Sequence, residues 1–323
     1  MAFKDLGAEF ICTDHPSENS FPVDGLEGDS LLQDRLALLH AKCKSFYDNN
    51  KIILRFPSVG ATENILLYSA FSGRKVDLYN AAREPEIIDL QQYLNKIGAN
   101  ITGAGTSHIT IFAKNYNQLK DAHSIDCSHT IIPDRIEGGT YILACAVCGG
   151  SIKLKNTNCR ELGALLRLIN GTGDSLTDNE ITFKFKKRPS INECITTLPY
   201  PGVPTDLQAP LMSFLCTVQG TNYIIESIFK NRTSHINELI KMGANIKKYQ
   251  NCFIIRGQSC LQGCDVVSGD LRGGAALIIA ALGATGISNI LDNGYIARGY
   301  TNIENKLAML GADITKKIIP SNI

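Results

Sequence analysis

Excess charge of one sign is missing from this 323-residue sequence: 32 Lys and Arg against 31 Asp and Glu leave a formal net charge of +1. No global field then argues for nucleic acid or a membrane surface as partner, and any anion must be held by local clusters. Long apolar runs are missing as well. The longest, Ala275–Leu282, has the length of a buried helix and falls short of a membrane span. The opening MAFKDLGAEF has no apolar h-region, so a secretory signal is not expected. Ser-His-Asp, Walker, GxGxxG and HExxH patterns do not occur, and the six histidines (His15, His40, His108, His123, His129, His235) show no metal spacing. The eleven cysteines are scattered. Cys145-Ala-Val-Cys148 lies in the apolar stretch YILACAVCGG without a second pair, Cys260 and Cys264 flank a short turn, and Cys216 sits inside LMSFLCTV. The reading is buried small hydrophobes, not metal ligands or disulfides, which with no signal favours the cytoplasm.

What the chain does have is internal repetition. Thr62–Ile101 and Thr205–Ile246 follow one grammar: an apolar helix, a Gly turn, a strand ending in Asn or an acid, a second helix, and a Gly-Ala-x-Ile strand. Asp270–Ile314 follows it too, and Arg135–Leu176 more loosely, with Gly171-Thr172-Gly173 where Gly-Ala is expected. A period of roughly 70 residues is a supersecondary unit rather than a short solenoid repeat. Lys4–Ile11 reads as the tail of a further unit, so the chain is expected to open mid-repeat, with an incomplete first domain at 1–130 and a nearly complete three-repeat domain at 131–323. Asp14–Gly25 reads as loop, and Leu31–Tyr47 as an amphipathic helical insertion. The alternation is α/β. ALIIAALGA and YILACAVCG carry no charge, and a helix apolar on every face is surrounded by protein, so helices are expected inside and sheets outside.

Charge clusters sit at the repeat boundaries: Arg83-Glu84-Pro85-Glu86, Asp134-Arg135-Ile136-Glu137, Pro204-Thr205-Asp206, Asn231-Arg232, Asp270-Leu271-Arg272 and Arg298-Gly299. Superposed repeats would gather these at one end of each domain, where helix starts offer free N–H groups and a positive dipole end. Arg232, Arg272 and Arg298 are therefore candidate ligands for phosphate and carboxylate, unless each only pairs with a local acid, as Asp270 could with Arg272. Asp206 is a candidate general base, and Thr205 or Asp206 an N-cap. The turn Pro57-Ser58-Val59-Gly60-Ala61-Thr62 lets backbone amides approach a ligand or is merely a turn. His235 reads as a structural helix-start residue.

The strings PSVGATENI (57–65), NAAREPEIID (80–89), IPDRIEGGT (132–140), PTDLQA (204–209), FKNR (229–232), DLRGGAAL (270–277) and ARGYTNIENKLAMLGADI (297–314) occur in this order. Together they resemble the UDP-N-acetylglucosamine enolpyruvyl transferase (1-carboxyvinyltransferase) family across residues 51–317. The resemblance implies an inside-out α/β barrel of βαβαββ repeats in two globular domains. It implies transfer of the enolpyruvyl group of phosphoenolpyruvate to the 3-hydroxyl of UDP-N-acetylglucosamine, the first committed step of peptidoglycan synthesis, and with it roles in cell-wall biogenesis, cell shape, cell cycle and division. No metal or cofactor is implied. Carried over residue by residue, Asp206 takes the hydroxyl proton, Arg298 holds phosphoenolpyruvate, and Arg232 and Arg272 support the charged intermediate. Asp270 lies near the reacting carbons. Phe56, Pro57, Ser58, Val59 and Gly60, with Ile228, line the uridine diphosphate pocket, and Glu86 and Asp134 belong to the cleft network.

Departures bear on activity. The family opens with a Lys-Asn pair that binds phosphoenolpyruvate and carries a mobile Gly-Gly-Cys loop whose Cys is the general acid. Nothing before Leu6 supplies the pair, no Gly-Gly-Cys occurs, Lys230 stands where the family has Glu, and Ala297 where it has Asp. The expectation is impaired transfer by this chain alone, the alternatives being a non-catalytic remnant, a nucleotide-sugar-binding paralogue or one half of a split enzyme. A first domain short of a repeat would also expose apolar helix faces, so self-association or a complementing N-terminal chain is expected.

Overall fold

The computed structural model describes residues 8–13, 38–43, 50–112 apart from 71 and 73, 128–169, 173–177, 180–185, and 192–318 apart from 230, 258 and 259. The chain divides into two compact units, Met1–His129 and Thr130–Ile323.

In the first unit, β1 (Ala8–Thr13) pairs antiparallel with β2 (Leu38–Cys43), from Ala8 opposite Cys43 to Thr13 opposite Leu38. β1 follows the Gly7-Ala8 step of the expected repeat tail. β2 corrects the helix expected over Leu31–Tyr47: residues 38–43 are extended, and the rest of that segment lies outside the described residues. Six mostly apolar residues fit either period, and a full cross-strand ladder decides for the strand. Asp14–Gly25 also lies outside the described residues.

One repeat follows, made of β3 (Lys51–Ile53), α1 (Val59–Ser69), β4 (Lys75–Tyr79), α2 (Pro85–Lys96), β5 (Ile101–Thr102) and β6 (His108–Phe112). Its sheet order is β3-β4-β6-β5, with β3 and β4 parallel and the other pairs antiparallel. Ser58 caps α1 by accepting from the Ala61 amide, and Pro85 opens α2, where its missing N–H costs nothing. Ile65, Leu66, Leu78, Ile87, Ile109 and Ile111 form the buried centre.

The second unit holds α3 (Arg135–Cys148), β7 (Gly150–Lys155), α4 (Gly163–Leu168), β8 (Gly173–Thr177) and β9 (Glu180–Phe185). Next come β10 (Cys194–Thr196), α5 (Gln208–Cys216), β11 (Thr221–Ile225), α6 (Ser234–Lys241), β12 (Asn245–Tyr249) and β13 (Cys252–Arg256). The order β10-β11-β13-β12, one parallel and two antiparallel pairs, repeats the first unit's sheet. The last stretch is β14 (Leu261–Gln262), β15 (Asp265–Ser268), α7 (Leu271–Leu282), β16 (Ala284–Thr285), β17 (Asn289–Asp292) and α8 (Ile303–Met309).

Helices α3, α5 and α7 pack on one another at the centre, and each lies against a different sheet: α3 on β7 and β9, α5 on β11 and β13, α7 on β15 and β17. Every residue of α5 is buried. Helices inside and sheets outside is the arrangement the charge-free helices called for. Burying Leu211, Met212, Phe214 and Leu215 of α5 contributes about 1.5–3 kcal/mol each before chain entropy is subtracted.

The cysteine expectation needs correcting. Cys216 is buried, and burial pushes its thiol up to about 12, but Cys148 and Cys194 are exposed and Cys145, Cys252, Cys260 and Cys264 half-buried. Cys148 falls at the end of α3, where the inner bundle gives way to solvent. Among the described residues no helix is long and apolar enough to cross a membrane.

Candidate functional site

Three helix starts come together at one end of the second unit. Asp134 caps α3, its Oδ1 accepting from the amides of Ile136 (2.7 Å) and Glu137 (3.1 Å). Asp270 caps α7, its Oδ1 accepting from the amides of Arg272 (3.0 Å) and Gly273 (2.8 Å), while the Ser234 hydroxyl donates to its other oxygen. α5 is entered through a 3-10 turn, Thr205–Leu207, that carries Asp206. Burial alone would raise the Asp270 carboxyl. The Ser234 hydroxyl, the capped amides and His235 outweigh it and hold the group below the ordinary carboxylate range.

Asp206 is the hub. Its Oδ1 lies 3.0 Å from Arg232 Nη1 and 3.4 Å from Arg272 Nε. Asp270 therefore takes the backbone amide of Arg272, and the Arg272 side chain goes to Asp206, against the purely local pairing that sequence leaves open. The Arg232 guanidinium stands 4.9 Å from the Phe229 ring centre, and that of Arg272 5.5 Å from the Tyr300 ring centre. Burial would make Arg272 easier to deprotonate, but Tyr300, Asp206 and Asp134 around it raise its pKa instead. Arg272 Nη1 is buried without a hydrogen-bond partner. A buried donor left so costs about 1–3 kcal/mol, which an anionic ligand would recover.

Glu226 and Tyr300, which the sequence does not single out, hold this hub together with Thr205, which it offers only as a helix cap; the caps are instead Pro204 for the 3-10 turn and Leu207 for α5. Glu226, 2% exposed, closes β11. Its Oε1 accepts from the Thr197 hydroxyl (2.9 Å) and the amides of Ile228 (2.8 Å) and Phe229 (3.0 Å), and its Oε2 from the Thr205 hydroxyl (2.9 Å). With its proton committed to Glu226, Thr205 Oγ1 accepts from Arg232 Nη1 at 3.1 Å. A relay thus runs from Glu226 through Thr205 to Arg232 and Asp206. On the other side Thr140 donates to the Ile136 carbonyl (2.9 Å), so the Tyr300 hydroxyl 3.0 Å away donates to Thr140 and leaves its oxygen to Arg272. The sequence signal for Glu226 was the repeat grammar itself, an acid at the end of the strand.

Arg298 ends a 3-10 turn, Ile296–Arg298, and is exposed; its amide donates to the Tyr295 carbonyl (3.2 Å), and its side chain has no ion-pair or hydrogen-bond partner among the described residues. It sits beside the cluster along the chain, since a Cβ on Gly299 would stand 3.4 Å from Arg272 Nη1. Ile228 is half-buried and fixed through its amide to Glu226. His235, 1% exposed at the start of α6, makes no hydrogen bond with either ring nitrogen, and burial, reinforced by Arg232 and opposed by Asp270, pushes it down to about 4.

The first unit holds the remaining candidates. Phe56 and Gly60 are exposed, and Pro57, Ser58 and Val59 half-buried around the start of α1. Thr62 fixes this turn to the NAAREP loop: its hydroxyl donates to the Ser58 carbonyl (2.9 Å) and accepts from the Ala82 amide (3.0 Å). Glu86 lies in the first turn of α2. Burial, with the Glu86 and Glu84 carboxylates, pushes the Glu63 carboxyl up. Glu86 thus belongs to an acidic trio, all within the first unit.

Capped helix starts and two arginines thus meet around the Asp206 carboxylate at one end of an inside-out repeat unit. Comparison with known proteins gives the class. The model of the family described as EPSP synthase (3-phosphoshikimate 1-carboxyvinyltransferase) matches residues 41–307. UDP-N-acetylglucosamine 1-carboxyvinyltransferase 1 of Caldanaerobacter subterraneus subsp. tengcongensis is 43% identical over 268 residues, 83% of this chain and 63% of that protein. The Finegoldia magna UDP-N-acetylglucosamine 1-carboxyvinyltransferase is 38% identical over 322 residues, 97% of this chain and 68% of that protein. The crystal structure of the enolpyruvyl transferase NikO from Streptomyces tendae superposes with a TM-score of 0.76 at 21% identity, covering 97% of this chain and 70% of that one, a likeness of fold. The chain belongs to the UDP-N-acetylglucosamine 1-carboxyvinyltransferase family. It spans just under two thirds, 63%, of the length of the Caldanaerobacter relative.

Proposed function

We propose that the chain serves the transfer of the enolpyruvyl group from phosphoenolpyruvate to the 3-hydroxyl of UDP-N-acetylglucosamine. The sugar oxygen bonds to C2 of phosphoenolpyruvate, the C2–O bond to phosphate breaks, and the hydroxyl proton leaves with the phosphate in the net balance. The observation that carries this reading is the Asp206 carboxylate held between Arg232 and Arg272 at three helix starts. A carboxylate so placed can take the hydroxyl proton, and the guanidinium faces not turned to Asp206 can hold phosphate and carboxylate. Arg298, exposed and unengaged, is the arm that closes on phosphoenolpyruvate. Of the second unit, Ile228 is a proposed contact to the uridine diphosphate, Asp270 a neighbour of the reacting carbons and Asp134 a substrate contact; of the first unit, Phe56 to Gly60 and Glu86 are proposed substrate contacts.

The cytoplasm, where peptidoglycan precursors are assembled, is the proposed location; the free thiols of the described cysteines support a reducing compartment. The test is phosphate release from phosphoenolpyruvate with UDP-N-acetylglucosamine present and absent, for the wild-type chain and Asp206→Asn. Release that needs the nucleotide sugar and falls on substitution supports the reading. Tight nucleotide-sugar binding without any release would replace it with a binding role.

A further inference from the structure

Two guanidinium groups converge on one oxygen in the second unit: Arg232 Nη1 and Arg272 Nε reach Asp206 Oδ1 at 3.0 and 3.4 Å. Like charges drawn so close repel, so the chain must fix the backbones that carry them. The Thr205 hydroxyl anchors the Arg232 side chain, and the Tyr300 ring stands beside that of Arg272. The separation of the two backbones is set elsewhere. Arg232 lies two residues before α6, and Arg272 is the second residue of α7.

No side chain caps the start of α6. Thr233, in the capping position, makes no such bond, and the Ser234 hydroxyl donates instead across 36 positions to Oδ2 of Asp270. Oδ1 of the same carboxylate accepts from the amides of Arg272 and Gly273. Asp270 thus joins the two helix starts, and each arginine is two residues from one end of the joint, Arg232 from Ser234 and Arg272 from Asp270. The joint is made at close quarters. A Cβ on Gly269 would stand 2.9 Å from Ser234 Cβ, and one on Gly273 3.3 Å from Ser234 Oγ. Glycine at both positions is what admits the serine. One turn along the same face of α6, Glu238 Oε2 accepts from the Val267 amide of β15 at 2.9 Å, while Lys241 pairs with Glu238 at 2.7 Å. α6 is therefore fastened twice to the β15–α7 segment, and Ser234 is the fastening beside the arginines.

We propose that Ser234 is a positioning residue that sets the spacing of Arg232 and Arg272 for the anion they hold. Its hydroxyl touches no substrate. It acts through Asp270, as a spacer between the two helix starts from which the arginines reach out. Donors fixed in place before a ligand arrives bind it without the cost of being ordered, so loss of the spacer shows first in affinity. The affinity part rests on the reading that the arginines hold phosphoenolpyruvate; the spacing itself does not.

The test compares Ser234→Ala with the wild-type full chain by scanning calorimetry, by calorimetric titration of phosphoenolpyruvate, and by NMR of the Arg272 Nε–H. Ser234 is exposed, so the melting temperature should hardly change. Phosphoenolpyruvate should bind about three- to tenfold more weakly. The Arg272 signal, identified by its loss in Arg272→Gln, should shift and exchange faster with solvent. In an Arg232→Gln background Ser234→Ala should add little, because no pair is left to space. Glu238→Gln loosens the other fastening of α6, and should lower the melting temperature while leaving affinity unchanged. Unchanged affinity in Ser234→Ala overturns the proposal. So does an equal loss of affinity in Glu238→Gln, or a full loss on top of Arg232→Gln. A wild-type chain that binds no phosphoenolpyruvate refutes the anion reading instead, and the Arg272 signal then decides alone: moved by Ser234→Ala it supports the spacing role, unmoved it overturns it.

Discussion

Replacing Glu226 by Gln probes the relay behind Asp206 with almost no change of volume. Four donors converge on this buried side chain, three on Oε1 and one on Oε2. The new amide must set its NH2 somewhere. On the Oε1 side it would face three donors, so it takes the Oε2 side and meets the Thr205 hydroxyl. That hydroxyl then turns to accept from the amide, which aims its hydrogen elsewhere and removes the acceptor geometry that Arg232 uses at 3.1 Å. Bonds to a charged group contribute about 1.5–3 kcal/mol each against about 1 kcal/mol for neutral ones, and the three surviving bonds keep their geometry, so the expected loss is about 2 kcal/mol. For a unit of this size that is a fall of roughly 4–8 °C in its melting temperature, read by scanning calorimetry. Phosphate binding, read by titration calorimetry, should weaken as well, because Arg232 loses its anchor. Thr205→Ser should behave as wild type and Thr205→Val as Glu226→Gln. A Glu226→Gln chain with unchanged melting and unchanged phosphate affinity would refute the relay.

Asp206→Asn should cut nucleotide-sugar-dependent phosphate release by about 10²–10⁴-fold, the usual contribution of a positioned base, while leaving binding of phosphoenolpyruvate intact by calorimetry. Gly274→Ala would put a Cβ 2.5 Å from Ile296 Cγ1 and from Ser268 Oγ, and a urea titration should show about 1–3 kcal/mol lost. Because His235 is pushed down to about 4 in the folded chain from 6.5, its contribution to stability is complete above pH 6.5 and is lost as pH falls toward 4. The loss amounts to about 3 kcal/mol, and comparing wild type with His235→Gln across that window isolates it from the carboxylates.

The repeat grammar was the part of the fold most legible in the residues. Apolar stretches without charge demand an interior, and α3, α5 and α7, which carry them, occupy one, with the fold of the enolpyruvyl transferases around them. The charges at the repeat boundaries were legible too, because superposed repeats bring equivalent helix starts to one end. Two things were not. Residues 38–43 carry a pattern that fits helix or strand, and only pairing with Ala8–Thr13 decides between them. Glu226, Thr205 and Tyr300 show their part only through donors arriving from positions far apart in the chain, such as Thr197 and Arg232, which no local spacing reveals. The Asp270–Arg272 contact was legible as a pair, but the backbone takes it and the guanidinium reaches across 66 positions to Asp206.

The central claim is that Arg232 and Arg272, set by helix starts around Asp206, grip an anion. Titration calorimetry of phosphoenolpyruvate into the full chain and into an Arg232→Gln, Arg272→Gln double variant tests it most directly. Binding that weakens with salt and falls at least about 100-fold in the double variant is the predicted result. Equal affinity in both chains would contradict it.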